Sequence, residues 1–296
     1  MPTYRLDVEY DGTRYHGWQE QLNARSIAGE LRRAVTAAGA SLVELGGSGR
    51  TDAGVHALAQ TAHLRLRQSV QPEPFRRAVN DALPPDIHVV SLRETSPAFH
   101  ARHDAVSRVY LYQIARRRAA LAKRHVWWVK RSLDVRLMQQ AARLLEGRHD
   151  FARYCERPQD QPSTIVVVER AEVHEAGALI LTRLIASHFL WKMVRRIVGV
   201  LVKVGAGELP AAQTGVWLEA AAEKEQGEGM AAWTAPPSGL FLERVIYPGE
   251  PGPGPVVPAI SVAPEPGPGA TVFTGRPAPE RSAPRPSPRG RRASRG

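Results

Sequence analysis

The chain predicts an α+β protein with a largely antiparallel central sheet, built from two similar halves and flanked by helices. Three observations carry this. Strand-like and helix-like segments are mixed with hairpin turns instead of alternating strictly, which disfavours a parallel sheet. The order strand, helix, strand hairpin occurs before and after residue 105, although no residue-level repeat accompanies it. The stretch up to Tyr247 is long enough for one large core or two smaller ones.

Each element has its own signal. Residues 3–10 alternate and end in Asp11-Gly12, a strand followed by a turn. Ser26 caps a helix in which Ile27, Leu31, Ala34, Val35 and Ala38 share a stripe. Residues 41–45 form a short strand that enters a glycine loop at 46–54. Residues 60–67 alternate with Ala62, Leu64 and Leu66 on one face, a half-buried strand. Pro74 suits the first turn of a helix to Leu83, stopped by Pro84-Pro85, and a strand follows at 87–93. In the second half, 106–115 is a strand, and 134–147 is a helix capped by Asp134 with Gly147 in a left-handed C-cap. Residues 164–174 and 178–185 make a hairpin around Glu175-Ala176-Gly177. Helices at 187–204 and 211–223 and a strand at 240–247 complete the order.

These signals divide the chain into 1–104, 105–248 and a tail, 249–296. From Pro248 onward stand 13 of the 24 prolines and 8 of the 25 glycines, with seven Arg and three Glu. Such a stretch buries too little apolar surface to offset its ordering entropy, so it is expected to be a disordered appendage whose removal after Gly249 leaves turnover nearly unchanged. A single cysteine, Cys155, excludes a disulfide framework and multi-Cys metal centres. No segment has signal-peptide or membrane-span character, so a soluble, cytoplasmic protein is expected. The net charge of +11 comes from 40 Lys+Arg against 29 Asp+Glu, and only five of those cations are Lys. Two readings fit that balance: genomic bias towards Arg, or a surface for nucleic acid.

The glycine loop fails the dinucleotide fingerprint, the P-loop and the nucleophile elbow. It leaves one carboxylate, Asp52, with Arg50 two residues earlier and on the same side if the loop is extended. A surface ion pair in a polar hairpin is the plain reading. On the strand Arg108-Val109-Tyr110-Leu111-Tyr112, period two puts Arg108, Tyr110 and Tyr112 on one face, suited either to ordinary packing or to base stacking and phosphate contact. In the helix around 189–204, Arg196 shares a stripe with Lys192 and Lys203, the expected wet face. Arg195 lies between Trp191, Val198 and Val202, where it either snorkels to water or meets a carboxylate. Arg195 and Asp52 could satisfy one another: at ~4 Å and an effective dielectric near 20 their attraction is about 4 kcal/mol. That matches the order of the desolvation cost and is expected to keep Asp52 ionised.

The residues at 47–56, Gly-Ser-Gly-Arg-Thr-Asp-Ala-Gly-Val-His, closely resemble the signature of the bacterial tRNA pseudouridine synthase A family. Further landmarks follow in family order: Glu9-Tyr10-Asp11-Gly12 with Gly17-Trp18-Gln19, Asn80 with Leu83-Pro84, Phe99-His100-Ala101-Arg102, Arg108 to Tyr112, Met193-Val194-Arg195, and Ser238-Gly239-Leu240 before Tyr247-Pro248. The resemblance covers residues 3–248 and implies the pseudouridine synthase fold. It also implies an isomerase that turns uridine into pseudouridine at positions 38 to 40 of the tRNA anticodon stem-loop, with neither cofactor nor metal, acting as a homodimer. By the same resemblance Asp52 is the essential carboxylate, Arg50 assists base flipping, Tyr110 stacks on the flipped uracil and Arg195 pairs with Asp52. Arg102, Arg108 and His56 complete the substrate-binding set. The covalent and glycal routes both stay open, as does a non-catalytic RNA-binding protein with the same fold. Arg196 stands where many members have Asn, Trp191-Lys192 depart from the common residues, and 156–163 is short and irregular for the family.

Overall fold

Hairpin chemistry becomes antiparallel pairing across almost the whole sheet. In the computed structural model, which describes residues 1–156, 163–219 and 228–264, β1 (Thr3–Tyr10) lies between β3 (His56–Leu66) and β4 (Ile87–Thr95). β2 (Leu42–Gly47) pairs with β3. In the second half, β5 (Ser107–Ala115) pairs with β9 (Leu179–Ala186), β9 with β8 (Ile165–Ala176), and β8 with β7 (Gly147–Asp150), while the short β6 (Trp127–Trp128) runs parallel to β5. The last strand, β10 (Leu240–Ile246), joins the halves, antiparallel to β5 and parallel to β3 for two residues. The order is β4-β1-β3-β10-β5-β9-β8-β7, one ten-stranded sheet within a unit spanning Met1–Pro264.

Helices cover one face. α1 (Ile27–Ala37) is capped by Ser26, whose hydroxyl accepts from the Gly29 N–H at 3.2 Å, and α2 (Pro72–Ala82) starts on Pro72. α3 (Val135–Arg143) is capped by the Asp134 carboxylate, and packs on β8 and α4 (Met193–Gly205). α5 (Gln213–Glu219) and α6 (Glu228–Ala232) are short. The larger core lies on this face and runs through Leu6, Leu31, Leu64, Tyr112, Met138 and Leu201. No helix among the described residues is long and apolar enough to cross a membrane.

Three boundaries differ from the expectation by more than two residues. α3 stops four residues before Gly147; that glycine, at φ +110°, opens β7 instead of closing the helix. α4 begins at Met193, not at 187, because Lys192 adopts a left-handed backbone (φ 60°) that helical residues cannot continue through. β3 begins at His56, where small residues hid the alternation. The end of the helix expected at 211–223, and most of the irregular stretch 156–163, fall outside the described residues.

The proline-rich stretch expected to be a disordered appendage from 249 onward is partly tied to the sheet. Up to Pro264 it crosses the face opposite the helices. Buried Gln113 accepts from the Ala259 N–H at 2.7 Å, buried Arg183 donates to the Gly254 carbonyl at 2.8 Å, and Glu250 pairs with Arg5 at 2.5 Å. Val262 enters a second, smaller core with Leu111, Leu179, Leu181 and Phe241. Proline extension needs no backbone ladder, so side chains of the sheet supply the hydrogen bonds. Residues 265–296 lie outside the described residues. Ending the chain after Gly249 removes Val262, the donors to Gln113 Oε1 and one acceptor of Arg183, which keeps its pairs with Glu172 and Glu243. Each lost hydrogen bond contributes about 0.5–1.5 kcal/mol. That truncation is expected to lower Tm by several degrees relative to one after Pro264; equal melting curves would contradict the anchoring described.

Candidate active site

The loop between β2 and β3 is held from both sides before any ligand is considered. Ser48 N–H donates to the Thr61 carbonyl at 2.8 Å, the Ser48 hydroxyl to Gln60 Oε1 at 2.6 Å, and Gln60 Nε2 to the Gly49 carbonyl at 3.0 Å. The Tyr10 hydroxyl meets Thr51 Oγ1 at 2.8 Å, and Trp18 N–H donates to the Thr51 carbonyl at 3.1 Å. Two glycines are required here. A Cβ on Gly47 would lie 2.6 Å from the Trp18 indole, and Gly54 takes φ +77° in the turn closed by Val55 N–H to the Asp52 carbonyl at 3.1 Å. Asp52 therefore stands at the head of a fixed turn.

The second half brings partners to it. Arg195, in the first turn of α4, places Nη1 3.5 Å from Asp52 Oδ2. Its Nε donates to the Ala235 carbonyl at 2.6 Å, so the guanidinium is divided between two acceptors. Tyr110 of β5 lines the same cleft with Phe189 set edge-on to its ring, centroids 4.9 Å apart. Arg50, Arg102, Arg108, His188, Trp191 and Lys192 line it as well. The cleft has a volume of about 690 Å³, inside the roughly 300–1,000 Å³ common for small-ligand pockets.

The electrostatics follow from burial. Asp52 has a side chain 26% exposed, and its carboxyl is pushed above the ordinary aspartate range because burial outweighs the pull of Arg195 and Lys192. The pairing is present, but a divided guanidinium at 3.5 Å attracts less than an undivided one at ideal hydrogen-bond length. Burial, with Tyr10 and Asp52 nearby, also pushes the Tyr110 phenol up, so it stays protonated. His188 is pushed down by burial and by Arg108 and Arg102.

Arg108 behaves differently from a free phosphate ligand. Its Nη1 donates to Ala105 (3.3 Å) and Ser187 (2.7 Å) carbonyls, and Nη2 to Ser48 (3.0 Å) and Arg102 (2.7 Å) carbonyls. It clamps the Asp52 loop to the turns beginning at 102 and 187. Arg50 and Arg102 are exposed, with no ion-pair partner among the described residues. Tyr112 is fully buried and donates to the Pro236 carbonyl at 2.7 Å. Arg196 is not on a wet face: its side chain is 12% exposed, bonded to the Cys155 carbonyl and 3.7 Å from Glu156, since the turn at 152–156 covers that side of α4.

His56 is not brought into the cleft. As the first residue of β3 it points to the opposite face of the sheet from Val55 and stacks on Phe241, centroids 4.8 Å apart. Asp11, His56 and His125 lie close enough to share a cation, as do Glu44, His63 and His100. Both ring nitrogens of the two buried histidines are already engaged, however. His56 Nδ1 accepts from the Gly12 N–H at 3.1 Å while Nε2 meets the Arg124 carbonyl at 2.9 Å; His63 and His100 accept backbone N–H bonds at Nδ1. A metal ligand needs a free lone pair, which neither of the buried histidines, His56 and His63, offers in this arrangement. The residues that sequence reasoning missed are Tyr10 and His188, together with the projection of Phe189 and Trp191 into the cleft. A helix running from 187, as expected, would not turn these two aromatics into the cleft; the irregular backbone at 187–192 does.

The family described as tRNA pseudouridine synthase matches residues 8–104 and 141–248, blocks that contain Asp52 and Arg195. The curated tRNA pseudouridine synthase A of Beijerinckia indica is 41% identical over 253 residues, covering 84% of this chain and 95% of that protein. Its counterpart in Mesorhizobium japonicum is 41% identical over 253 residues, covering 84% and 100%. The counterpart in Methylococcus capsulatus is 38% identical over 249 residues, covering 83% and 90%.

Arg108→Lys replaces a planar fork by one ammonium that cannot reach four carbonyls. With charged hydrogen bonds contributing about 1.5–3 kcal/mol each, the variant is expected to melt several degrees lower and to exchange the amides of 48–53 faster in hydrogen–deuterium exchange. Unchanged protection of that loop would contradict the clamp.

Proposed function

The chain belongs to the tRNA pseudouridine synthase family, and from that premise we propose that it isomerises uridine to pseudouridine at positions 38 to 40 of the tRNA anticodon stem-loop, with Asp52 as the essential carboxylate. The observation that carries the proposal is the pair Asp52–Arg195, 3.5 Å apart, in a cleft shared with Tyr110.

The reaction breaks the bond from uracil N1 to C1′ of the ribose, turns the base, and joins C5 to C1′; the proton lost from C5 is balanced by one gained at N1. No atom or electron is imported. The target nucleotide must first leave the stem, at a cost of a few kcal/mol. Exposed Arg50 and Arg102 at the cleft are suited to hold flanking phosphates, and the Tyr110 ring, backed by Phe189, is suited to receive the extruded uracil. Asp52 then either adds to C1′ or removes a ribose proton, and in both routes it must be deprotonated. Arg195 and Lys192 favour that form against the burial that opposes it. Arg108 acts as a positioning residue through its carbonyl bonds. His56, on the other face, supports the β3 end of the loop through its bond from the Gly12 N–H and does not reach a substrate in the cleft. Action as a homodimer and in the cytoplasm belongs to the same proposal.

Purified protein is expected to convert uridine in an unmodified tRNA transcript, detected by carbodiimide labelling and primer extension. Asp52→Asn is expected to lose turnover by at least ~10³-fold while still binding tRNA; retained turnover would overturn the role of Asp52.

The raised Asp52 carboxyl also sets a pH dependence. An acid must lose its proton to act, so raising its pKa moves the loss of activity on acidification to higher pH than an ordinary aspartate would give. Lys192→Met removes one of the two cations that oppose the shift, and its acid limb of kcat/KM is expected further up again. A limb that does not move would show that Asp52 is not the group titrating.

A further inference from the structure

Residues 187–192 form an irregular arch between β9 and α4, and Trp191 stands out on it. It is the most exposed tryptophan among the described residues, 44% in contact with solvent, yet it lines the cleft that holds Asp52. The ring is also held in place. Its own carbonyl accepts from the Glu156 N–H at 3.0 Å, and the Lys192 ammonium lies 4.7 Å from the ring centroid while bonded to Glu156 at 2.5 Å. Lys192 has the left-handed backbone that starts α4, and it is the sole non-glycine residue with positive φ among the described residues. Strained backbone of this kind persists where surrounding contacts over-determine it, commonly at binding sites. The indole also hydrogen-bonds the Asp52 carboxyl, and a ring fixed in this way, with a cation beside it and a face open to the cleft, is a stacking surface.

The proposed reaction supplies something for that surface to hold. Extruding one nucleotide removes a stacking partner from each of its neighbours. Tyr110, buried and edged by Phe189, is placed for the extruded base. Trp191, exposed at the mouth, is placed for the next one.

We propose that Trp191 is a second nucleobase subsite, a platform that stacks on the unpaired base adjacent to the target uridine and so helps determine which anticodon-arm sequences are accepted. The inference rests on the tRNA-isomerase reading. The Glu156–Lys192 pair positions the ammonium behind the indole and leaves it able to exchange a carboxylate for a phosphate of the incoming strand.

The test is a binding and rate cycle on the full chain. The RNAs are an anticodon stem-loop and copies with an abasic nucleotide at each position flanking the target; the proteins are wild type, Trp191→Ala and Trp191→Phe. Trp191→Ala is expected to weaken binding and raise KM about tenfold, with Trp191→Phe falling between. Both variants also lose the indole hydrogen bond to the Asp52 carboxyl, so kcat is expected to fall in both and the platform is read from binding and KM. One flanking abasic site is expected to cost wild type the same factor and to cost Trp191→Ala nothing further. Binding-induced quenching of tryptophan fluorescence should be smaller in Trp191→Phe. Independent, multiplying effects of the abasic site and the substitution would overturn the platform, as would a fall in kcat with unchanged KM. The cycle can be repeated by equilibrium binding with the Asp52→Asn protein, so the two readings fail separately. Isomerisation without coupling sinks only the platform, and coupling without isomerisation in wild type sinks only the reaction.

Discussion

The site depends on one charge pair that neither half of the molecule can make alone. Asp52 comes from a loop between two strands of the first half, and Arg195 from a helix of the second. A carboxylate in that cleft is unfavourable because burial strips its water, and a guanidinium in the first turn of α4 is unfavourable for the same reason. Together they are tolerable, in a loop already held by Ser48, Gln60 and Arg108. The carboxyl nevertheless stays above its ordinary range. A stronger pairing would hold the anion more firmly but leave a weaker nucleophile or base, so a divided guanidinium is compatible with the reactive role proposed for Asp52.

Around this pair the frame is built from backbone carbonyls and rigid strands. Arg108 gathers four carbonyls, including one from the Asp52 loop and one from the arch at 187. Arg195 is bound to Ala235 in both directions, its Nε to the Ala235 carbonyl and its own carbonyl from the Ala235 N–H at 3.0 Å. These bonds turn two arginines that look alike in a sequence into parts with different duties: one positions, the other faces the carboxylate. Arg50 and Arg102, with no ion-pair partner among the described residues, are exposed at the cleft. A positive rim around a single acid is the arrangement expected of a site that draws in a polyanion and acts on one sugar of it.

The opposite face of the sheet shows the same economy. Strand alternation sends Tyr110 towards the cleft and Leu111 away from it, Val55 towards and His56 away. The apolar residues turned away form a smaller core, closed by the proline-rich stretch up to Pro264. Gln113 and Arg183, both buried, supply hydrogen bonds that a strand neighbour would otherwise have supplied. A stretch rich in proline and glycine can thus be held by side chains reaching out from a sheet.

Composition and periodicity determined a good deal by themselves. The α+β class, the antiparallel sheet, the caps at Ser26 and Asp134, and the strands at 3–10, 107–115 and 240–246 were legible because local pattern and local structure agree there. Asp52, Tyr110 and Arg195 were legible as candidates through the family signature, and Arg195 also through the misfit of a charge on an apolar stripe. Other features were decided only by the tertiary structure. That Arg108 spends its donors on carbonyls, that Arg196 is covered, that His56 faces away, and that α4 starts six residues late depend on which segments lie across the cleft. Periodicity says which residues share a face of one element but not what that face meets. The burial of a charge, the partner it finds and the direction of its pKa are properties of that meeting.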